Sequence, residues 1–288
     1  MGNGRRARPG VARGLARDAP DTVIHLGDIY YACTASEANA FYENVTRAFG
    51  ASAPRVFTVC GNHDMYSGAA SYYVLLARID QPASFFALRN ARWQILAADT
   101  GYNDFNAWTE GAEATWLRDR DDGDPYSELD WHRDKFATAG GRKTVVLTHH
   151  PLFTRNSSIS GRAVNPLLPG QLGPHLPDLA LWLWGHEHNL VAYAPFVGLG
   201  RGRCIGASAV PVGAQEDLLR PSPDLDGQEL PALVAVEGAP VHLHPQRRGG
   251  LYQLAYALLD LDGADGRASY RPFDPSTGAT SVSFEETI

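Results

Sequence analysis

The chain has 288 residues, of which 44% are hydrophobic and 20% are charged. This length is sufficient for one large domain or two small ones with ample core. The 25 basic and 32 acidic residues give a formal net charge of -7, which argues against a general nucleic-acid-binding protein because such proteins carry a basic surplus. No apolar run approaches the roughly 18 residues that a membrane span needs, so no membrane partner is expected.

The cysteines and the first residues indicate the compartment. Cys33, Cys60 and Cys204 have no CxxC spacing, and this odd, scattered set argues against a disulfide framework and fits a reducing environment. The first residues lead into no apolar segment of a secretory signal. We therefore expect a cytoplasmic protein for the chain as given, although an incomplete amino end would conceal such a signal.

Short apolar runs alternate with helical patterns along the chain. Runs of five or six mostly apolar residues predict strands that are buried on both faces. These runs occupy residues 22–26, 56–60, 93–98, 144–148 and 179–184, and helical spacing marks residues 9–18, 41–49 and 129–136. Repetition of strand, polar turn and helix is typical of the α/β class, in which ligands bind beyond the carboxyl ends of the strands.

The last third of the chain has a different composition. Residues 213–249 are dense in Pro, Gly and acidic residues, and we interpret them as a long surface excursion. The runs at 251–261 and 268–270 flank a turn and predict a hairpin that closes a second sheet. One domain over residues 1–288, with a motif-bearing core at about 20–210, is the simplest interpretation.

Residues of metal-ligand type lie just beyond the ends of four strand-like runs. They are Asp28, Asn62, His149, His186 and His188. A carboxylate, an amide oxygen and imidazoles, without a thiolate, form a ligand set suited to Zn, Mn or Fe. Each motif alone is readily explained as a turn, but only a shared pocket explains why so many ligand types converge.

His63, next to Asn62, is the natural proton donor, since imidazole titrates near neutrality. The two oxygens of Asp28 allow it to bridge two ions. With two ions about 3.5–4 Å apart, a bridging water becomes hydroxide and attacks in line while the metals stabilise the developing charge. These residues therefore predict hydrolysis of phosphate esters.

Four motifs, in this order along the chain, resemble those of the calcineurin-like metallophosphoesterase superfamily. They are Gly27-Asp28, Gly61-Asn62-His63-Asp64, His149-His150-Pro151 and Gly185-His186-Glu187-His188, and the resemblance extends from about residue 20 to 210. It implies an α/β fold, namely a four-layer αββα sandwich with two mixed β-sheets. It also implies a dinuclear metal centre at the carboxyl ends of the strands.

The resemblance implies a role for each site residue. Asp28 would bridge the two metals, and His188 would serve one of them. Asn62, His149 and His186 would complete the site of the other. His63 would protonate the leaving oxygen or hold the phosphate, and Asp64 would orient His63 by a hydrogen bond.

Tyr31 stands three residues after Asp28, as in the purple acid phosphatase branch of this superfamily, where the phenolate binds the iron. Tyr31 is therefore a candidate metal ligand. The alternative is that Tyr30 and Tyr31 simply pack, since the rest of the purple-type pattern is incomplete.

The amino end departs from the family pattern, which begins with a further strand that ends in Asp and a short Gly-rich turn. Here no Asp precedes Asp18, and the residues Met1-Gly2-Asn3-Gly4 resemble that turn, cut just after the missing Asp. We therefore hypothesise a truncated amino end. Otherwise one metal site keeps only Asp28, His188 and Tyr31, and the sheet has an edge or a gap.

Four further polar residues have less specific signals. We expect His25 in the core, His150 as a brace of the turn beside His149, and His132 on the surface of a helix. Asp99 ends a strand on the side of the site, where a turn role and an indirect contact with the site are equally open.

The prediction is a metallophosphoesterase with two transition-metal ions (Fe, Mn or Zn) that acts on a small phosphorylated substrate, with phosphomonoesters favoured. A phosphodiesterase that uses the same centre is the alternative enzyme, although the acidic net charge disfavours a polynucleotide substrate. A catalytically silent metal-binding or interaction domain is the alternative from another class, because the first ligand Asp is absent. The sequence does not indicate a protein partner.

Overall fold

Two layers of β-structure pack face to face, and helices cover the outer side of each layer. The computed structural model describes residues 10–50, 53–104, 114–120, 127–208 and 210–288. The Gly-rich turn expected at residues 1–4 lies outside the described residues.

The elements alternate along the first two thirds of the chain as predicted. The strands are β1 (Thr22–His25), β2 (Arg55–Thr58), β3 (Phe86–Arg89), β4 (Trp93–Ala97), β5 (Lys143–Thr148), β6 (Leu179–Trp184), β7 (Leu190–Tyr193), β8 (Gly202–Ile205), β9 (Ala235–Val236), β10 (Ala239–Pro240), β11 (Leu254–Asp260), β12 (Arg267–Asp274), β13 (Ala279–Thr280) and β14 (Phe284–Thr287). The α-helices are α1 (Gly10–Asp18), α2 (Ala35–Phe49), α3 (Asn62–Met65), α4 (Ala70–Arg78), α5 (Glu128–Ala137) and α6 (Leu168–Leu172), and short 3-10 helices cover Gly173–Asp178 and Pro223–Leu225. The five predicted strands and the three predicted helices are all present.

The first layer is a six-stranded mixed sheet in the order β3-β4-β5-β6-β8-β7. Its central strands run parallel, while β3 and β7 lie antiparallel at the two edges. Side chains alternate between the faces of a strand, so Val145 and Leu147 enter the core between the layers and Val146 enters the core beneath the helices. Burial on both faces, as predicted, is confirmed for β5 and β6.

The second layer combines the parallel pair β1–β2 with an antiparallel sheet of β11, β12, β13 and β14. The predicted closing hairpin is confirmed, because β11 and β12 pair over their whole lengths. Burial on both faces is wrong for β1, whose four residues are all only partly buried. The reason is that β2 is the one strand paired with β1 among the described residues.

Helices complete the four-layer αββα arrangement that the resemblance implies. Leu129 of α5 and Leu168 of α6 pack on the outer face of the six-stranded sheet. On the opposite side, Val11 of α1 packs against Tyr256 and Phe273 of the antiparallel sheet, and α2 and α4 form a further apolar cluster with the loops after β1 and β2. Within the described residues, no helix combines the length and apolar character required to traverse a bilayer.

His132 corrects the expectation of a surface residue. Its side chain is only 2% exposed, and its Nε2 lies 3.3 Å from the buried Glu128 Oε1 one helical turn away. Its ring also contacts Phe85 and Trp131. The polar sequence of the helix suggested a solvent-facing histidine. His132 is buried instead, because the buried Glu128 carboxylate gives its ring a polar partner inside the protein.

A buried ion pair joins the two layers. Arg203 of β8 donates from Nε and Nη2 to the two carboxylate oxygens of Glu286 in β14, at 2.8 and 2.7 Å. Tyr270 of β12 donates its hydroxyl to the same carboxylate at 2.8 Å. Such two-pronged geometry is the strong form of an Arg–carboxylate pair. The pair therefore fixes the relative position of the sheets at this edge.

Replacing Glu286 with Gln should lower the free energy of unfolding by about 3 kcal/mol, because the guanidinium of Arg203 then remains buried without its counter-charge. Urea denaturation measures this loss. The control is Glu229→Gln, which removes an exposed carboxylate outside the sheets and should change stability by less than about 0.5 kcal/mol. Equal effects of the two substitutions would contradict this role of the pair.

Candidate metal centre

Four of the predicted ligands meet at the carboxyl ends of the strands. Asp28 follows β1, Asn62 opens α3 after β2, His149 follows β5 and His186 follows β6. The Nε2 atom of His149 lies 3.1 Å from Asn62 Oδ1, 3.1 Å from His186 Nδ1 and 3.3 Å from Asp28 Oδ2. Residues from four separate loops thus surround one point.

The hydrogen bonds around this point turn lone pairs toward it. His149 Nδ1 lies 2.7 Å from the main-chain oxygen of Leu26, and because a carbonyl only accepts, Nδ1 carries a proton and Nε2 is the ring nitrogen that faces the cluster. Burial lowers the pKa of His149, but the Asp28 carboxylate outweighs burial and raises that pKa, so a metal ion bound at Nε2 would replace a proton there. Asn62 donates its Nδ2 to the Tyr66 hydroxyl at 2.5 Å, which directs Oδ1 toward His149. Acceptor atoms that face one another this closely fit a shared cation.

Electrostatics favour the same interpretation. Burial alone raises the pKa of Asp28, but the His149 imidazole outweighs it and holds that pKa below its usual range, so the carboxylate stays ionised. Burial lowers the pKa of His186 well below its usual value, and the neighbouring imidazoles add to the effect. His186 is therefore a neutral ring at pH 7, which is the form that binds a metal.

The backbone of the site is held in uncommon conformations. Asp28 and His186 have φ values of +62° and +52°, in the left-handed region that residues with a Cβ atom rarely adopt. Gly61 permits the close approach of two loops, because a Cβ atom there would lie 2.3 Å from Asp28 Oδ1. The surrounding structure therefore determines where these two ligands lie.

Asp64 has a different partner from the one predicted. Its buried carboxylate accepts the main-chain N–H groups of Asp28, Ile29 and Gly61 at 3.0, 2.9 and 2.8 Å. Burial raises the pKa of Asp64 to about 6, with the charge of Asp28 as the next cause. The expectation that Asp64 orients the His63 ring is wrong, because the carboxylate instead ties the loop after β1 to the loop after β2.

The main-chain oxygen of Tyr31 takes over the orientation of His63. It accepts a hydrogen bond from His63 Nδ1, which leaves Nε2 of the ring for another partner. The His63 main-chain N–H donates to Asp28 Oδ1 at 3.1 Å, so the residue is tied to the cluster. His63 is partly exposed.

The structure does not bring Tyr31 and His188 into direct contact with the other donors. The Tyr31 side chain is 76% exposed, and its ring lies edge-on to the His63 ring. His188 is partly buried, and none of the described hydrogen bonds connects its ring with the other four. Burial lowers the pKa of His188, and the nearby charge of Asp28 opposes that shift. Their ligand roles remain predictions.

The His150 ring lies beside the rings of His149 and His186. Ring nitrogens of His149, His150 and His186 all lie within 4.8 Å of one another. Both nitrogens of His150 are nevertheless in use, at 3.1 Å from Thr100 Oγ1 and 3.0 Å from Asp104 Oδ2. His150 therefore links the loop after β5 to Thr100 and Asp104 in the loop after β4. The expected bracing role agrees with these contacts.

Two acidic residues whose roles the sequence left open each support a turn through hydrogen bonds. Glu187, between His186 and His188, is partly buried and accepts hydrogen bonds from Thr154, Ser157 and Trp184. The only feature of the sequence that pointed to a role for Glu187 was its position between two candidate ligands. Asp99 accepts the N–H of Tyr102 at 3.0 Å, in the turn role considered for it.

The family model of the calcineurin-like phosphoesterases matches residues 6–190. The chain belongs to this family. Among solved structures, GAP50, the anchor in the inner membrane complex of Plasmodium, is similar with a TM-score of 0.62 at 11% identity, over 100% of this chain and 85% of that chain. A dimetal phosphatase from Danio rerio is similar with a TM-score of 0.50 at 13% identity, over 95% of this chain and 87% of that chain. These likenesses show the fold of a calcineurin-like phosphoesterase. No curated protein matches significantly in sequence.

In this calcineurin-like phosphoesterase, Asp64→Asn should lower the free energy of unfolding by about 2–3 kcal/mol, because an amide group cannot accept all three buried N–H groups. Chemical denaturation of the apoprotein measures the loss without any contribution from metal. Asp80→Asn, which alters an exposed carboxylate, is the control and should leave stability unchanged. If the Asp64→Asn variant were as stable as the wild type, the hydrogen bonds of Asp64 would not hold the two loops together.

Proposed function

We propose that the chain is a metal-dependent phosphoester hydrolase that acts on small phosphomonoesters. The observation that carries the proposal is the convergence of possible metal-ligand atoms on one point. His149 Nε2 lies within 3.3 Å of an oxygen of Asp28, an oxygen of Asn62 and a ring nitrogen of His186. A metal ion at this point would satisfy the facing lone pairs and the carboxylate at once. The family and the dimetal phosphatase fold support this chemistry.

Asp28, Asn62, His149 and His186 would hold the first ion, of Fe, Mn or Zn type, since the donor set mixes oxygen and nitrogen. His188 is our candidate for the second ion, with Asp28 shared between the two through its second oxygen. When bound, such ions activate water as the nucleophile and stabilise the negative charge that develops on the phosphoryl group.

His63 is the proposed general acid. The Tyr31 carbonyl fixes the Nδ1 proton of its ring, so the proton that the ring can transfer is the one on Nε2 of the imidazolium. That proton goes to the leaving oxygen as its bond to phosphorus breaks, which avoids expulsion of an alkoxide. The link from the His63 N–H to Asp28 keeps this ring beside the ligands.

Charge and cysteine chemistry support the remaining parts of the proposal. The net charge of -7 favours a small substrate over a polynucleotide, whose phosphates need basic surfaces. All three cysteines are buried free thiols, which supports a reducing compartment such as the cytoplasm. The second candidate is a catalytically silent interaction domain, favoured by the similarity of the fold to GAP50, an anchor protein.

Metal binding provides the first test. His186→Ala and Asn62→Ala should each weaken the affinity for Mn²⁺ or Zn²⁺ by about tenfold or more, since each removes one donor from the cluster. Isothermal titration and elemental analysis of the purified chain measure this. His244→Ala removes an exposed imidazole elsewhere and should leave the affinity unchanged. Equal metal content in all four proteins would contradict the site.

Turnover provides the second test. His63→Ala should reduce kcat for phenyl phosphate by about 10²–10⁴-fold while the metal content remains that of the wild type. The loss should be smaller for 4-nitrophenyl phosphate, because its leaving oxygen needs little protonation. A parallel assay with bis(4-nitrophenyl) phosphate separates monoesterase from diesterase activity. Stoichiometric metal without turnover of any ester would favour the silent domain.

A further inference from the structure

Two tyrosine rings pack against the imidazole proposed as the general acid. The Tyr31 ring lies edge-on to His63, with centroids 5.4 Å apart, and the Tyr66 ring is tilted against it at 4.5 Å. Tyr66 is partly buried, whereas 76% of the Tyr31 side chain is exposed. Both rings therefore flank His63, and we refer to Tyr31 and Tyr66 together as the aromatic wall.

The turn that carries Tyr31 is firmly anchored. The Glu37 carboxylate accepts the main-chain N–H groups of Tyr31, Ala32 and Thr34 at 3.2, 3.3 and 2.9 Å, and it forms the capping box of α2 with Thr34. Because the backbone is fixed, a ligand that packs on the exposed ring orders only a side chain with few rotatable bonds. A single exposed tyrosine is ordinary, but an anchored one beside a candidate acid is well placed to contact a ligand.

We propose that the aromatic wall binds the leaving group and makes the site selective for phosphomonoesters of aromatic alcohols; this inference rests on the proposed function. A general acid must contact the leaving oxygen, so the group attached to that oxygen lies next to whatever flanks His63. Tyrosine rings favour another aromatic ring in offset or edge-to-face contact over an aliphatic group of similar size. Tyr31 is thus a specificity residue, and its side chain has a role separate from metal binding.

The side chain of Tyr31 can be tested separately from the orientation of His63. The hydrogen bond to His63 comes from the Tyr31 main chain, which a substitution leaves in place. Tyr66 is less suitable for mutation, because its hydroxyl also accepts a hydrogen bond from Asn62.

The experiment compares kcat/KM for phenyl phosphate with that for cyclohexyl phosphate in the full chain loaded with Mn²⁺. Dividing the ratio of each variant by that of the wild type cancels the intrinsic difference in reactivity between the two leaving groups. Tyr31→Ala should lower the ratio about three- to tenfold. Tyr31→Phe should retain the ratio within about twofold, and so should Tyr73→Ala, the control at an exposed tyrosine on α4.

Four results would overturn the inference. A parallel fall for both substrates in Tyr31→Ala would indicate a general structural role, and an unchanged ratio would show that the ring does not contact the leaving group. Loss of bound metal in Tyr31→Phe would assign the hydroxyl as a ligand instead. A wild-type chain that binds no metal and cleaves neither ester would overturn the proposed function itself, and this inference with it.

Discussion

The candidate centre depends on one buried carboxylate that need not touch a metal. Asp64 accepts three main-chain N–H groups from the loops after β1 and β2, and these bonds hold Asp28 and Asn62 at a fixed separation. Burial of a charge is costly, and three donors at normal hydrogen-bond distance offset much of that cost. The ligands are therefore positioned before any cation arrives, so binding does not have to order two loops.

The same principle applies around the rest of the site. In each of three side chains, one polar atom is held by the protein and the other is left for the chemistry: His149 by the Leu26 carbonyl, Asn62 by the Tyr66 hydroxyl and His63 by the Tyr31 carbonyl. These partners determine which atom of each ring or amide faces the centre. Two of the three are main-chain carbonyls, whose effect depends on the fold more than on residue type. The third is the side-chain hydroxyl of Tyr66, four residues after Asn62.

The strand ends could be predicted because parallel strands bring their carboxyl ends to one edge of a sheet, whatever the loops do. This geometry explains why Asp28 lies near Asn62, at the ends of β1 and β2, and why His149 lies near His186, at the ends of β5 and β6. The two pairs belong to different sheets, and the packing of the two layers brings them together. The partners of Asp64, His132 and Glu187 could not be predicted in this way. Most partners of Asp64 and Glu187 lie on other loops, whose positions depend on the packing of the whole chain. The partner of His132 is Glu128, four residues earlier on the same helix, and what the spacing does not show is that both side chains are buried. The same holds for the exposure of Tyr31, which a motif three residues from Asp28 did not reveal.

Joining of the layers by Arg203 and Glu286 has a consequence for synthesis on the ribosome. The two residues are 83 positions apart, so the guanidinium in the first sheet has no counter-ion until the carboxyl-terminal strand has left the exit tunnel. An Arg without its partner resists desolvation, and that edge of the first sheet therefore remains hydrated while the nascent chain grows. Closure of the sandwich at this edge is consequently a late event in synthesis, which follows the appearance of all the ligand-bearing loops.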